Sequence, residues 1–219
     1  MRVDLRLYAL VDPERAGGRD LAVLARLVAL GGATLVQLRD KRSDTRRMVA
    51  RARAIKAELA PLNVPLLIND RIDVALAAGA DGAHVGQDDM AAEDARRLLG
   101  ADAIIGLSVK TVEQAEAAPL DLIDYVGIGG VFATSSKDNP TPPIGPAGLA
   151  RIVGVLRRRA AKFPLCAIAG IDASNAGEVI AAGADGVAVI SALSRKNDPR
   201  AAARDLRGVV ERAIAQRGR

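Results

Sequence analysis

The sequence predicts an α/β protein folded as a single-domain (β/α)8 TIM barrel over residues 1–219, and three observations favour this class. Short apolar runs alternate with longer amphipathic segments along the whole chain, as strands and helices do in such a barrel. Eight such pairs can be counted, whereas a doubly wound open sheet uses fewer strands and usually has a glycine-rich first turn. The segment 77–82 is repeated without change at 181–186, about half a chain later, as two stacked half-barrels would give.

The eight predicted strands are short and mostly apolar, which is typical of buried parallel strands. In chain order they cover residues 5–11, 33–39, 65–68, 82–85, 103–107, 125–129, 165–169 and 186–190. Apolar residues at helical spacing predict helices between and after them over 21–30, 46–59, 72–78, 92–99, 112–117, 149–159, 175–181 and 201–215. No linker, low-complexity tract or change of composition marks a second domain.

The composition excludes several classes of function. Half of the residues are hydrophobic but only 2% are aromatic, too few for a platform that stacks several bases. One cysteine excludes an intrachain disulfide, and one cysteine with one histidine excludes a structural zinc finger or a three-histidine zinc site. No apolar stretch reaches the ~20 residues of a membrane span, and no signal-peptide core is present. We therefore expect a cytoplasmic protein that acts without a membrane or a nucleic acid.

The formal net charge of +5 does not by itself define a partner. Much of the positive charge lies in the arginines at 157–159 and at 204, 207, 212, 217 and 219, within helix-like segments. A solvated helix face is the favoured interpretation of these arginines. A basic nucleic-acid-binding module is an alternative that rests on the charge alone, and it would bind with an affinity that falls steeply with salt.

The repeated hexapeptide is interpreted as the end of a helix, a glycine at its C′ position and a tight turn into the next strand. Loops that lead into strands lie at the amino-terminal face of a barrel, where residues serve stability rather than chemistry. The two aspartates of the repeat, Asp81 and Asp185, are therefore expected to be structural.

Charged residues that follow the strands are the candidates for chemistry, because the loops at the carboxyl ends gather over one pocket. The second strand is followed by Arg39 and Lys41, the third by Asp70 and the fourth by Asp89. Neighbouring strands lie about 4.8 Å apart, so we expect these four side chains around one site. Two carboxylates and two cations indicate Mg²⁺ and a pyrophosphate, and two ordinary ion pairs are the alternative.

A second anion site is expected after the seventh and eighth strands, where barrels often bind phosphate through loop amides and a short helix. The small residues at 169–172 and 190–192 leave their backbone amides accessible, although Gly170 serving only a turn is the alternative. After the sixth strand, Lys137 in a serine- and threonine-rich loop suits a phosphate clamp, whereas most lone loop lysines are simply solvated.

Two chemically versatile residues lie inside predicted strands. His84 is interpreted as a hydrogen-bonded packing residue, since no partners in triad order are evident. Cys166 is interpreted as a small core hydrophobe. The glycines at 127–130 do not fit a nucleotide-binding loop, because the required glycine and glycine-lysine positions are missing.

The motifs, taken together and in order, resemble those of the thiamin phosphate synthase family over nearly the whole chain. They include L-Y-A-L-V-D at 7–12, Q-L-R-D-K at 37–41, N-D at 69–70, H-V-G-Q-D-D at 84–89, T-S-S-K at 134–137, A-G-I at 169–171, G-A-D-G at 183–186 and I-S-A at 190–192. Each motif alone is weak, whereas their order and their placement on the strands are specific. Two positions depart from the commonest pattern: Ala169 stands where a glycine is usual, and Ser136 where a threonine is usual.

The resemblance implies an enzyme that joins an aminopyrimidine-methyl pyrophosphate to a thiazole phosphate and releases thiamin phosphate and pyrophosphate. It implies Asp70 and Asp89 as ligands of Mg²⁺, with Arg39, Lys41, Asn69 and Lys137 on the pyrophosphate. Gln37 and Ser108 would face the pyrimidine. The thiazole phosphate would be held, partly through backbone amides, by Thr134, Ser136, Gly170, Ile190 and Ser191. Lys137, Arg39 and Ser108 are expected to take part directly in catalysis, and Ala169 is expected to reshape the phosphate loop slightly.

The implied reaction is a dissociative substitution, which needs a neutralised leaving group and correct placement more than a general base. A related barrel without synthase activity, resembling the thiazole tautomerase and regulatory relatives, is the closest alternative. The retention of Asp70, Asp89 and Lys137 favours the synthase. The expected partners are the small-molecule substrates, and a homo-oligomer is compatible with the sequence.

Overall fold

The computed structural model describes residues 3–134 and 142–218, and within these ranges eight parallel strands close into a barrel. They are β1 Leu7–Val11, β2 Leu35–Leu38, β3 Leu66–Asn69, β4 Gly82–Val85, β5 Ile104–Val109, β6 Tyr125–Gly129, β7 Leu165–Ile168 and β8 Gly186–Val189. Each strand pairs with its sequence neighbours, and β1 also pairs with β8, with Leu7 opposite Val187, which closes the barrel. The predicted (β/α)8 class is confirmed.

The helices of the described residues surround the barrel. They are α1 Leu21–Leu30, α2 Thr45–Leu59, α3 Ile72–Ala78, α4 Ala92–Leu99, α5 Val112–Ala117, α6 Gly145–Arg159, α7 Ala176–Ala181, α8 Ser191–Ser194 and α9 Pro199–Arg217, with a short 3₁₀ turn at Ala60–Leu62. Helix α6 begins four residues before the predicted start because Pro146 fits the first turn of a helix. None of these helices is both long and apolar enough to cross a bilayer.

The alternation of side chains along the strands divides the core into two layers. On β1, Tyr8 and Leu10 belong to a small buried cluster with residues from several other strands, which fills the barrel interior. Leu7, Ala9 and Val11 point the other way and join the large aliphatic layer between the strands and the helices. The scarcity of aromatic residues is therefore a property of this outer layer, whereas two of the four aromatic residues, Tyr8 and Tyr125, lie in the interior.

The amino-terminal face is held by side chains that cap backbone amides. In the strand pairs β1–β2, β3–β4, β5–β6 and β7–β8, the residue just before the second strand accepts a hydrogen bond of 2.8–3.2 Å from an amide at the start of the first strand. The acceptors are Thr34, Asp81, Asp124 and Asp185. The structural role predicted for the two repeat aspartates is confirmed, and the same role extends to two residues outside the repeat.

The interpretation of the arginines as a solvated face is wrong for several of them. Arg159 donates to two carbonyls at the end of α5, and Arg217 donates to two carbonyls at and beyond the end of α7. Nη2 of Arg157 donates to both carboxylate oxygens of Asp185, at 2.8 and 2.7 Å. A guanidinium has five N–H groups and a long stem, so it reaches helix ends that composition alone does not indicate.

Candidate active site

The carboxyl ends of β2, β3 and β4 bring together three of the four predicted charged side chains. The ammonium of Lys41 contacts the carboxylate of Asp70, and the carboxyl group of Asp89 lies close enough to that of Asp70 to raise its pKa. Asp89 is oriented by its own loop, because its Oδ2 accepts a hydrogen bond from the amide of Gly86 at 2.7 Å. The sequence predicted this proximity from the strand spacing.

The pair of carboxyl groups suits a divalent cation. Burial raises the pKa of Asp70, the hydrogen bond from Lys41 opposes this rise, and the neighbouring Asp89 raises the pKa further. Within residues 3–134 and 142–218, no three His, Cys, Asp or Glu side chains form a metal-binding group. Mg²⁺ is commonly bound by one or two carboxylates and completes its octahedron with phosphate oxygens and water, so this donor set fits Mg²⁺.

Arg39 is held by a carboxylate to which the sequence assigned no role. Its Nη1 lies 2.5 Å from Oδ2 of Asp12, which is only 1% exposed. Strands β1 and β2 pair with Val11 opposite Leu38, so the next residues of the two strands are also neighbours. The ion pair of Arg39 in the described structure is therefore with Asp12, so the alternative of two ordinary ion pairs among the four predicted residues is wrong for Arg39.

Four predicted residues line a cavity at the carboxyl end of the barrel interior: Gln37, Arg39, Asn69 and Ser108. Tyr8 and His84 line the same cavity, although the sequence placed neither in the site. Ser108 lies within β5, which extends two residues beyond its predicted end at Leu107. The alternation of side chains along each strand predicts that these residues point into the barrel, but it does not predict the polar contacts among them.

Thr134, Gly170, Ile190 and Ser191 line a second pocket, of about 290 Å³, at the ends of β7 and β8. The turn after β7 is fixed by Asn175, whose side chain donates to the Gly170 carbonyl and accepts from the Asp172 amide, each at 2.9 Å. Lys196 also lines this pocket and adds a positive charge that the sequence did not predict. The pocket thus combines small residues, a fixed turn and an ammonium group.

The interior cavity and the second pocket adjoin, because Ile168 and Ala188 belong to the walls of both. A larger cavity of about 850 Å³ lies at the opposite face, where Arg157 and Arg217 are paired with Asp185 and the residues support the fold. Two predicted site residues, Ser136 and Lys137, lie outside the described residues.

A closed parallel barrel with a carboxylate pair and two adjoining cavities at the carboxyl ends of its strands has the arrangement of the (β/α)8-barrel enzymes. The family is given by comparison with known proteins. A model of the family described as thiamine monophosphate synthase matches residues 7–193.

Individual relatives agree with this match over nearly their full length. A thiamine-phosphate synthase from Agrobacterium fabrum is 50% identical over 216 residues, which cover 99% of this chain and 98% of the relative. A second one, from Albidiferax ferrireducens, is 48% identical over 94% of this chain and 92% of the relative. A solved structure of a thiamine phosphate pyrophosphorylase from Pyrococcus furiosus superposes with a TM-score of 0.84 at 36% identity, covering 97% of this chain and 98% of that one. The chain belongs to the thiamine monophosphate synthase family and is a transferase of thiamine biosynthesis.

Proposed function

We propose that this enzyme joins 4-amino-2-methyl-5-pyrimidinylmethyl pyrophosphate to a thiazole phosphate, giving thiamine phosphate and pyrophosphate. The observation that carries the proposal is the pair of adjoining cavities with the shared wall of Ile168 and Ala188. One cavity is lined by Gln37 and Ser108, the candidates for the pyrimidine. The other has the small residues and the ammonium group that suit a phosphate ester. Two substrates seated side by side can react without diffusing apart.

The pyrophosphate group would lie above β2, β3 and β4, at the mouth of the interior cavity. Arg39 and Lys41 supply positive charge there, and Asn69 supplies an amide beside the carboxylate pair. The ion pair with Asp12 orients the Arg39 guanidinium and leaves N–H groups on its other edge for phosphate oxygens. Lys137 would add a further cation from the loop after β6. When bound at Asp70 and Asp89, Mg²⁺ would supply positive charge that neutralises the leaving pyrophosphate.

The reaction needs no protein nucleophile. The bond between the methylene carbon and the pyrophosphate oxygen breaks first, and the pyrophosphate keeps the electron pair. The aminopyrimidine ring stabilises the cation that remains, and the lone pair of the thiazole nitrogen then forms the new carbon–nitrogen bond. The protein contributes charge through Arg39, Lys41 and Lys137, contact with the pyrimidine through Ser108, and the alignment of the two rings.

The thiazole phosphate would be held in the pocket of about 290 Å³. Gly170 has no side chain and Ser191 has a small one, so phosphate oxygens can approach the backbone amides there. The hydroxyl of Thr134 is a further donor. Ile190 would contribute its backbone, and Ser136 would add a second hydroxyl from the loop after β6. The proposed partners are thus two small phosphorylated molecules, and the proposed compartment is the cytoplasm, in keeping with the single buried cysteine.

The test is an incubation of the purified protein with both substrates and Mg²⁺. We expect thiamine phosphate, identified by mass spectrometry, and an equal amount of released pyrophosphate. Chelation of Mg²⁺ with EDTA should abolish both products, and excess Mg²⁺ should restore them. Failure to form product from substrates that a known thiamine-phosphate synthase converts in parallel would contradict the proposal.

A further inference from the structure

A continuous chain of hydrogen bonds crosses the barrel interior beneath the cavity. Gln37 Nε2 donates to the hydroxyl of Tyr8, and this hydroxyl lies 2.9 Å from that of Tyr125. Tyr125 in turn lies 2.8 Å from Nδ1 of His84, and Nε2 of His84 lies 2.8 Å from Oγ of Ser108. This hydrogen-bond network therefore connects Gln37 and Ser108, the two residues proposed to face the pyrimidine. The connection runs through Tyr8, Tyr125 and His84, which have no assigned role in the reaction.

Two glycines on neighbouring strands leave space in the barrel interior for the rings of this network. Tyr8 is 2% exposed and Tyr125 is fully buried. A Cβ atom at Gly106 would lie 2.1 Å from the Tyr125 ring, and one at Gly127 would lie 3.1 Å from the His84 ring, so glycines on β5 and β6 make room for the two rings. Burying two hydroxyl groups is unfavourable unless both are hydrogen-bonded, as they are here.

If the Gln37 amide donates to Tyr8, one direction gives the hydroxyl hydrogens of both tyrosines an acceptor within this hydrogen-bond network. In the reverse direction, Tyr8 would accept from both Gln37 and Tyr125, and its own buried hydrogen would have no acceptor in the network. Burial raises the pKa of both tyrosines, so each phenol keeps its single hydrogen. Tyr8 already accepts from Gln37 and directs its hydrogen to Tyr125, which directs its own to Nδ1 of His84. His84 must then carry its hydrogen on Nε2 and donate it to Ser108. The hydroxyl hydrogen of Ser108 is left to point elsewhere.

At the Gln37 end of this hydrogen-bond network, an acceptor is left without a partner. Within the described residues, Oε1 of Gln37 is buried and has no hydrogen-bond partner, which is costly unless a ligand supplies a donor. Gln37 and Ser108 both line the interior cavity, and the groups left over at the two ends of the hydrogen-bond network are opposite: an acceptor on Gln37 and a donor on Ser108. An aminopyrimidine carries the complementary pair, an amino donor next to a ring-nitrogen acceptor.

We propose that Tyr8, Tyr125 and His84 are positioning residues that fix the hydrogen-bond polarity of Gln37 and Ser108 and thereby select an aminopyrimidine over its oxo analogue. The inference rests on the proposed function for the identity of the substrate. In the oxo analogue the exocyclic oxygen faces the Gln37 oxygen, and the ring N–H faces the Ser108 hydrogen. A site that pairs polar groups with one substrate rejects the reversed pattern strongly.

The direct test uses the fact that His84 is the only histidine in the chain. Long-range ¹⁵N–¹H NMR of the labelled, full-length protein without substrates reports its tautomer free of overlap. We expect hydrogen on Nε2 at neutral pH in the wild type, with a loss of this single tautomer in Tyr125→Phe. A wild-type spectrum with hydrogen on Nδ1, or on both nitrogens, would overturn the proposal whether or not the protein makes thiamine phosphate.

The second arm measures specificity. In Tyr125→Phe, we expect kcat/KM for the aminopyrimidine pyrophosphate to fall about tenfold, its advantage over the oxo analogue to fall by a similar factor, and KM for the thiazole phosphate to stay unchanged. Leu35→Val is the matched control, because it removes a methylene from the same interior cluster and no hydrogen bond. Equal discrimination in both variants would overturn the specificity role. Nε2–H in a protein without synthase activity would instead contradict the proposed function and leave the polarity of the chain standing.

Discussion

Gly170→Ala is the substitution whose effect the structure defines most closely. Gly170 has a left-handed backbone (φ 66°), and an added Cβ would lie 2.5 Å from the Ala133 carbonyl oxygen and 2.6 Å from Phe132 Cβ. The left-handed conformation costs alanine ~1–2 kcal/mol, and the overpacking costs a further ~1–3 kcal/mol. We therefore expect the free energy of unfolding to fall by about 2–5 kcal/mol.

Gly79→Ala separates the two contributions. Gly79 has nearly the same backbone angle (φ 64°), but an added Cβ there has no atom within 4 Å. It lies at the end of α3, on the opposite side of the barrel from the pocket. This variant should lose only the ~1–2 kcal/mol of backbone strain and should keep both KM values.

The functional consequence follows from the atoms that would collide. Ala133 and Thr134 line the pocket of about 290 Å³, so relief of the collision displaces its wall. A displacement that removes one phosphate contact worth about 1.4 kcal/mol raises KM for the thiazole phosphate about tenfold. Urea unfolding followed by circular dichroism, together with steady-state kinetics for each substrate, measures both effects. The reasoning is refuted if the Gly170 and Gly79 variants have equal stability and equal KM values.

Three further substitutions test other parts of the structure. Ala169→Gly relieves a left-handed alanine (φ 86°) and should raise the free energy of unfolding by about 1 kcal/mol in urea titrations; a loss of stability would contradict the strain. Asp124→Ala removes the acceptor of a buried β5 amide and should lower this free energy by ~1–3 kcal/mol, whereas the exposed Asp205→Ala should change it by less than about 0.5 kcal/mol. Asp89→Asn should raise the Mg²⁺ concentration for half-maximal activity at least about tenfold, and the exposed neighbour Asp88→Asn should not; equal requirements would remove Asp89 from the metal site.

The barrel could be predicted because buried strands and half-buried helices have different local patterns of apolar residues. Runs such as Gly186–Val189 are apolar since both of their faces are covered, and eight short strands alternate with amphipathic helices. The proximity of Asp70 and Asp89 followed from strand spacing, which is nearly constant in all parallel sheets. The structural role of Asp185 followed from the repeat, whereas Asp124 has the same role without any repeat to indicate it.

The contacts that the sequence did not predict depend on where long or distant side chains meet. The pairing of Arg39 with Asp12 requires the register of two adjacent strands, which composition does not define. The contact of Tyr8 with Tyr125 joins residues 117 positions apart across the barrel, and no local pattern encodes it. The sequence predicts that His84 is hydrogen-bonded, but it does not identify the two partners, Tyr125 and Ser108, because they come from other strands.

The central claim is that each of the two adjoining cavities holds one substrate. A crystal structure of the protein with thiamine phosphate, pyrophosphate and Mg²⁺ tests it most directly. We predict the pyrimidine ring between Gln37 and Ser108, the phosphate ester against the backbone of Gly170 and Ser191, and the metal ion on Asp70 and Asp89. A product bound with its two rings exchanged, or bound outside these cavities, would contradict the account.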